Sequence, residues 1–336
     1  MKQYAGIDVS LEYSSVCVMD ADGRIVREAK VLSEPDGVAM KRIGLEAGPL
    51  SQWLHAAMAK AGLAVELIET RHVRAAFKTM PVKTDKKDAR GIAQLMRLGW
   101  FRPVHCRSLP AQEVRALLTG RKLIQGKLHD IEMSIRGILR GFGLKVGPTT
   151  RRTYAARIRE LIEGHPTLEA IAASLLKVRD ALADEFAGFE RKLRALARQD
   201  DNARRLMTTP GVGVVVALTF ASAVDAPERF RSSRAVGPHF GLTPKKYQSG
   251  ETDYSGRISK IDDVGVRTAL YEAANVILTR PVKGSDLKSW ALAVARRAGP
   301  RKARVALARK LAVVLHHMLR DKTNFIPHKA TSAMAA

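Results

Sequence analysis

The sequence has only two cysteines and no long apolar run, and both absences narrow the class of protein. Cys17 and Cys106 lie far apart, so they supply neither a disulfide framework nor the ligand spacing of a zinc site. No apolar run reaches the roughly 18 residues that a membrane-spanning helix needs. The N-terminus leads directly into a strand-like segment, so we expect no secretory signal. These features predict a cytoplasmic protein without a membrane partner.

Acidic residues are few relative to basic ones. The 336 residues include 57 Lys or Arg but 33 Asp or Glu, and the net charge is +24. Hydrophobic residues make up 46%, which supports a packed core and argues against wholesale disorder. In a chain that can fold, this excess of positive charge favours a nucleic-acid partner over a membrane. The length allows two or three domains.

The first hundred residues have the pattern of a mixed α/β domain. Strands are predicted at 4–9, 14–20, 24–32, 42–46 and 64–68, with a helix at 50–62. The strand–helix–strand unit predicts a parallel crossover. Asp8 lies in the first, most apolar strand, and Glu46 ends the fourth strand, where ligand sites of open α/β sheets lie. Taken singly, Asp8 could instead cap a loop and Glu46 could face water.

A second acidic feature is the segment of residues 83–90, Lys-Thr-Asp-Lys-Lys-Asp-Ala-Arg. Thr84 is the predicted N-cap of a helix over 84–98, and the i, i+3 spacing places Asp85 and Asp88 on one face. A carboxylate pair can hold a hard divalent cation, and the basic flanks suit a polyanion; a solvated helix start is the alternative. Acids in strand one, at the end of strand four and on a late helix form the ribonuclease H-like layout, in which four carboxylates hold two divalent ions.

Residues 106–203 have the pattern of long helices. Apolar residues recur at heptad spacing in two runs separated by a Gly- and Pro-containing break at 143–148. This pattern predicts a coiled-coil hairpin or a dimer arm, with an ordinary helical bundle as the alternative. The apolar positions are Leu117, Ile124, Leu128, Ile131, Ile135, Ile138 and Phe142, then Ile171, Leu175, Val178, Leu182, Phe186, Phe189, Leu193 and Leu196.

Residues 204–325 form a further, mainly α-helical unit, and 326–336 are a predicted tail. Pro-Gly-Val-Gly at 210–213 resembles a helix-hairpin-helix turn, whose backbone amides can hold a phosphate. The Gly- and Ser-rich stretch 241–260 is predicted as a loop, either a plain surface loop or one that presents a hydroxyl to a phosphodiester. Residues 287–320 contain nine Lys or Arg and no acid, which predicts a helix with a basic outer face for a phosphate backbone.

Taken together, these residues resemble a known family. The chain is similar to the transposases of the insertion-sequence-110 family and to the related Piv-type DNA invertases. The matching motifs follow the family's order over nearly the whole chain. They are Gly6-Ile7-Asp8-Val9-Ser10, Gly44-Leu45-Glu46-Ala47-Gly48, Lys83-Thr84-Asp85-Lys86-Lys87-Asp88-Ala89, Pro210-Gly211-Val212-Gly213, and Ser255-Gly256-Arg257-Ile258-Ser259-Lys260 through Arg267 and Leu270.

The resemblance implies a RuvC-like first domain (1–105), a helical linker (106–203) and a C-terminal transposase domain (204–325). It implies a bacterial DNA recombinase of a mobile element, with a D-E-D-D site that binds two Mg²⁺ ions and a serine that joins DNA covalently. The serine precedes a glycine in the family, which points to Ser249, with Ser255 as its rival. Similar members use a structured guide RNA, and recombination of two duplexes implies a homo-oligomer. The implied metal ligands are Asp8, Glu46, Asp85 and Asp88, and the implied nucleic-acid contacts are Lys83, Lys86, Lys87, Gly211, Gly213, Arg257, Lys260 and Arg267.

Two other functions are compatible with these residues, and the sequence differs from the family pattern at two places. The four acids alone would serve a metal-dependent nuclease or junction resolvase, and a chain that only binds nucleic acid would be an inactive remnant. Residues 33–41 are about one helix shorter than the family's pattern, which puts the position of Glu46 in question. Asp262 replaces a glycine, and we expect it to disfavour a left-handed turn there.

Overall fold

The computed structural model describes residues 2–10, 12–32, 41–78, 84–282 and 284–328. Most of the shortened segment, residues 33–40, and the predicted phosphate contact Lys83 lie outside the described residues. The chain divides into two compact units, Met1–Ser108 and Leu109–Ala336.

The first unit contains a five-stranded mixed sheet with helices on both faces. The strands lie in the order β3-β2-β1-β4-β5; β1, β2 and β3 pair antiparallel, whereas β4 is parallel to both β1 and β5. This confirms the predicted mixed α/β arrangement. The elements are β1 Tyr4–Val9, β2 Tyr13–Met19, β3 Ile25–Leu32, β4 Arg42–Glu46, α1 Ser51–Lys60, β5 Val65–Ile68, α2 Thr70–Phe77 and α3 Asp85–Leu98.

Side-chain alternation along β1 and β4 separates the two faces of this sheet. Ile43 and Leu45 pack with Leu54 of α1 on one face. The intervening Gly44 faces α3 on the other, and so does Gly6 of β1. A Cβ atom on Gly6 would collide with the backbone of α3 at Ala89 and Ala93, and one on Gly44 would lie 2.7 Å from the Cγ of Met96. Glycine at both positions therefore lets α3 lie directly on the central strands.

The second unit is mostly helical, as predicted. Its long helices α4 and α6 pack against each other as a hairpin within one chain. Phe142, Ile171 and Val178 of the predicted heptads are exposed, so the apolar seam is interrupted rather than continuous. The helices are α4 Leu109–Gly141, α5 Tyr154–Ile162, α6 Pro166–Gln199, α7 Asp201–Met207, α8 Val214–Val224, α9 Val236–His239, α10 Val264–Thr279, α11 Asp286–Ala298 and α12 Pro300–Arg320.

The stretch predicted as a loop at 241–260 is instead largely a β-hairpin. Strands β6 Pro244–Ser249 and β7 Thr252–Ile258 pair antiparallel, and Gly250, with φ +55°, lies in the turn between them. Every residue of β6 is exposed, so the strand lacks the alternation of apolar and polar residues that would have revealed it. The expectation for Asp262 is also wrong, because this residue adopts the left-handed conformation with φ +59°. Aspartate tolerates that conformation better than most residues with a side chain.

No helix in the described part of the chain is both long and apolar enough to cross a membrane.

Substituting Gly6 tests the close approach of α3 to the sheet. We expect Gly6→Ala to lower the unfolding free energy of the first unit by about 1–3 kcal/mol or more, since the backbone of α3 must move to admit the methyl group. Urea denaturation followed by tryptophan emission in a Trp290→Phe background would measure it, because Trp53 and Trp100 both lie in the first unit. Gly48→Ala is the matched control, since a Cβ there would approach no described residue beyond its chain neighbours more closely than the carbonyl oxygen of Glu46, at 4.0 Å. An equal loss in both variants would contradict this account.

Candidate functional site

Two acids lie side by side at one edge of the first unit's sheet. The last paired residues of the parallel strands β1 and β4 are Ile7 and Leu45, and Asp8 and Glu46 follow them directly. Alternation places both acids on the same face as Gly6 and Gly44, which is the face covered by α3. Their position at the carboxyl ends of adjacent parallel strands is where ligands of α/β sheets bind.

The two acids of α3 lie in its first turn. Thr84 caps the helix, as predicted, because its side chain accepts a hydrogen bond of 3.2 Å from the backbone N–H of Lys87. Asp88 is only 6% exposed and directly precedes Ala89, the residue in contact with Gly6. Asp85 is exposed one turn earlier. The helix therefore carries Asp88 toward the strand of Asp8, with Asp85 farther out.

The chemistry of these donors suits a hard divalent cation, since all four are carboxylates. Their arrangement is not an assembled centre, however. Within the described residues, which include all four acids, no three Asp, Glu, His or Cys side chains converge closely enough to hold a metal ion.

An ion-pair cluster fastens α3 to the outer strand β3. Arg90 hydrogen-bonds both carboxylate oxygens of Glu28, one of them at 2.9 Å, and the ammonium of Lys86 lies 2.9 Å from the same group. The hydrogen bonds from Arg90 and then Lys86 lower the pKa of Glu28 to about 2. Lys86, predicted to contact phosphate, is thus paired within the protein. Lys87 makes no ion pair with a described residue.

In the second unit, the β6–β7 hairpin presents the two candidate serines, Ser249 and Ser255, on opposite faces. The pairs Ser249–Thr252 and Tyr247–Tyr254 share one face, whereas Ser255 pairs with Lys246 on the other. The two tyrosine rings are stacked, with centroids 5.3 Å apart, and are 52% and 59% exposed. Ser249 therefore stands next to an exposed aromatic pair at the end of the hairpin.

Ser259 follows the hairpin, in a loop that several hydrogen bonds hold in place. The hydroxyl oxygen of Ser259 is buried without a hydrogen-bond partner in the described part of the chain, so it is out of reach of an external substrate. Lys260 and Asp262 both have positive φ, and Arg267 donates hydrogen bonds to the carbonyls of Phe240 and Ile261. Arg267, another predicted phosphate contact, thus holds the loop in place.

Helix α10 begins where this loop ends, at Asp263. Burial alone would raise the pKa of Asp263, but the charge of Arg115 and the backbone N–H of Val266 bring it below its usual value. The Arg115 guanidinium lies 2.6 Å from the carboxylate and belongs to α4. This ion pair joins the loop to the helical hairpin.

The Pro-Gly-Val-Gly turn lies between α7 and α8. Gly211 has φ +79°, and a Cβ there would lie 2.8 Å from the carbonyl oxygen of Ala273. It is therefore needed for packing against α10. Gly213 precedes α8 in an open position, since a Cβ there would have no atom of a described residue within 4 Å apart from its chain neighbours.

Two family models match the chain. A model of the DEDD transposases of the IS110 group, described as a transposase, matches residues 5–143, and a model described as the transposase IS116/IS110/IS902 family matches residues 203–289. Together they span about two thirds of the chain and include every predicted acid and serine. The chain belongs to the IS110 transposase family.

The chain is also similar in sequence to curated transposases over most of its length. The transposase for insertion sequence element IS1111A of Coxiella burnetii is 29% identical, over 94% of this chain and 88% of the relative. A probable family 20 transposase of Pseudomonas aeruginosa is 26% identical over 85% and 86%. The transposase for IS1328 of Yersinia enterocolitica is 26% identical over 76% of each.

Sequence patterns did not single out Glu28, Arg90 or the tyrosine pair. Glu28 and Arg90 are 62 positions apart, so only the fold reveals their pairing. The two tyrosines flank Ser249-Gly250, and a glycine in a turn between two polar, aromatic-containing segments is the one local signal of a hairpin.

The Glu28 cluster predicts a defined pH dependence of stability. Because the folded-state pKa of about 2 lies below the ordinary value of 4.5, the cluster stabilises fully above pH 4.5 and its contribution is lost as the pH falls toward 2. We expect Glu28→Gln to lower the melting temperature at pH 7 and the difference from the wild type to shrink below pH 4.5. Glu66→Gln is the control, since Glu66 makes no ion pair with a described residue. A difference that stays constant from pH 7 to pH 3 would contradict the cluster.

Proposed function

We propose that this IS110-family transposase transfers DNA strands with two chemical groups, a carboxylate metal site and a serine nucleophile. The observation that supports it most is the placement of three acids around one sheet edge. Asp8 and Glu46 end adjacent parallel strands on the face of α3, and the buried Asp88 enters from that helix. Asp85 would complete the donor set from the exposed side of the same helix turn.

In this proposal the four carboxylates hold Mg²⁺, two ions by analogy with the ribonuclease H-like layout. The bound ions would supply charge neutralisation and activation of an oxygen nucleophile. The chain's own part is to orient the donors, and the contacts of α3 with Gly6 and Gly44 fix the helix that bears two of them. Lys87 remains available to neutralise a phosphate near the first turn.

Ser249 is the proposed nucleophile. Its hydroxyl oxygen forms a bond to phosphorus while the bond from phosphorus to a deoxyribose oxygen breaks, and the departing oxygen takes up the proton. One phosphodiester replaces another, so the step needs no nucleotide cofactor. Both Ser249 and Ser255 are exposed. Ser249 is favoured because it lies on the same face as the tyrosine pair, on which an unpaired base could stack. We further propose that the enzyme works as a homo-oligomer on element and target DNA, with a structured guide RNA.

A nuclease that hydrolyses DNA with the same acids is the second candidate. Joined DNA products and a covalent protein–DNA intermediate would distinguish the transposase from the nuclease, since hydrolysis forms neither. The conformation of Asp262 removes one argument for an inactive remnant, because this aspartate takes the left-handed turn that glycine would take.

Serine substitutions test the proposed nucleophile. In cells that carry a plasmid with the flanking element DNA, we expect joined circles from the wild type and none from Ser249→Ala. Ser255→Ala should retain them, because its side chain lies on the opposite face of the hairpin. Covalent protein–DNA product, detected on denaturing gels, should follow the same pattern, with DNA binding intact in both variants. Covalent product persisting in Ser249→Ala would refute the assignment.

The same assay tests the acids. Asp88→Asn should reduce joined product to the level of a plasmid without the enzyme, since it removes a buried donor while keeping its size. Asp22→Asn, an exposed acid in the β2–β3 turn, is the equal-charge control. Isothermal titration of Mn²⁺ into the purified proteins gives a separate readout, in which Asp88→Asn should weaken binding. Unchanged metal binding and recombination would contradict the metal site.

The tyrosine pair supplies a further prediction. Tyr254→Ala should lower the yield of covalent product several-fold, whereas Tyr254→Phe should retain it, because stacking needs the ring and not the hydroxyl. The melting temperature serves as the folding check, since the cross-strand pair contributes only about 0.2–1 kcal/mol. Equal losses in both variants would point to the hydroxyl and rule out stacking.

A further inference from the structure

A groove in the second unit lies at the base of the β6–β7 hairpin. Its volume is about 980 Å³, and helices α11 and α12 form its other walls. The groove is separate from Ser249, which ends β6 some 17 Å from Pro244 at the usual rise of a strand, about 3.3 Å per residue.

The polar side chains of the described residues that line the groove are all basic, and we call this set the rim. It consists of seven Lys or Arg side chains, with no acid, amide or hydroxyl side chain among the described lining residues. Six of them make no ion pair with a described residue, whereas Arg90, Arg115 and Arg121 elsewhere are each paired with a carboxylate. Clustered like charges repel one another, so this rim suits a polyanionic ligand. The six are Arg234, Arg257, Lys260, Arg301, Lys302 and Arg309.

The other residues that line the groove have apolar side chains or none, and we call them the floor. Trp290, Val305 and Val313 contribute to it, and the ammonium of Lys310 lies 3.9 Å from the centre of the Trp290 ring. Phosphates alone would need only the rim. Trp290 is partly buried against the core of this unit, with Lys310 over its ring. An indole and a cation held over it both suit the face of an unpaired base, whereas the base faces of a duplex are already stacked on one another.

The backbone at the rim is held in an uncommon conformation. Lys260 has φ +55°, a conformation that costs free energy for a residue with a side chain. Gly241 makes this possible, because a Cβ there would lie 2.6 Å from the carbonyl oxygen of Ile261. The tight turn directs Lys260 to the groove rather than leaving it on a free loop.

We propose that this groove binds a single-stranded or unpaired segment of nucleic acid, with phosphates on the basic rim and bases on the apolar floor. The inference deepens the proposed function and rests on it only in taking a nucleic acid as the ligand. Among the described residues that line the groove there is no acid, amide or hydroxyl side chain, so its polar side chains can only donate hydrogen bonds. Phosphate oxygens and the acceptor atoms of bases are the groups that such donors bind in both DNA and RNA.

Fluorescence anisotropy with a labelled 20-nucleotide oligothymidylate, in EDTA, tests the rim. Arg301→Ala/Lys302→Ala should raise Kd by about tenfold and reduce the slope of log K against log salt by about 1.4, since each single-strand phosphate contact contributes about 0.7. Arg159→Ala/Lys177→Ala removes the same charge from exposed positions on α5 and α6 and should raise Kd less than about threefold. Equal effects of the two double variants would overturn the proposal.

Substitutions of Trp290 test the floor. Trp290→Ala should raise Kd for the oligothymidylate by about tenfold, with Trp290→Phe close to the wild type. In a Trp53→Phe/Trp100→Phe background, the oligonucleotide should quench the remaining emission. The proposal would fail if a duplex of the same sequence bound as tightly as the single strand and Trp290→Ala changed neither Kd. The groove would then be a surface for phosphates alone. The proposal would also fail if a polyglutamate peptide displaced the oligonucleotide as well as an unlabelled strand did.

These measurements are independent of catalysis. Because the assay contains no divalent cation, it reports binding of the oligothymidylate without strand transfer. A chain that binds the oligonucleotide as expected but forms no joined circles in cells would count against the proposed function alone. Circular dichroism of each groove variant distinguishes lost contacts from lost folding.

Discussion

The close approach of α3 to the central strands determines where the acids of the first unit lie. Gly6 and Gly44 admit the helix because neither presents a side chain to it, and a methyl group at Gly6 would meet helix backbone. The next residues on that face are Asp8 and Glu46. If larger residues lifted the helix from the sheet, Asp88 would leave the edge at which those acids lie. Two glycines thus set the geometry of the candidate metal ligands without contributing a functional group.

The charges around the start of α3 also favour acids at this position. Asp85 and Asp88 lie in the first turn of α3, the end of a helix at which negative charge is favoured by the helix dipole. Lys86 and Arg90 of the same helix pair with Glu28, and these two cations and one carboxylate leave a net positive charge of one near the two acids. The helix can therefore keep acids at its start as part of the fold. A divalent cation would bind at a sheet edge where the fold already holds negative charge.

The sequence was informative where local rules decide the structure. Strands β1 to β5, helix α3 and the cap at Thr84 follow from hydrophobic pattern and capping chemistry. The β6–β7 hairpin escaped prediction because both of its faces meet water, so burial imposed no alternation on it. Which serine shares a face with the tyrosines depends on strand register, and a shift of one residue would reverse the answer. The Glu28 pairings depend on a contact between distant segments.

The basic residues of this chain have two roles, pairing within the protein and binding a polyanion. Composition alone does not show which residue has which role. Lys86 and Arg267 lie in motifs that suggested phosphate contacts, yet the fold commits them to Glu28 and to backbone carbonyls. Arg301 and Lys302, by contrast, start α12 without an ion pair to a described residue, beside an apolar floor. A cation already paired gains less from a phosphate, because it must give up its partner. The unpaired cations of the groove therefore deserve more weight as nucleic-acid contacts than the paired ones in the motifs.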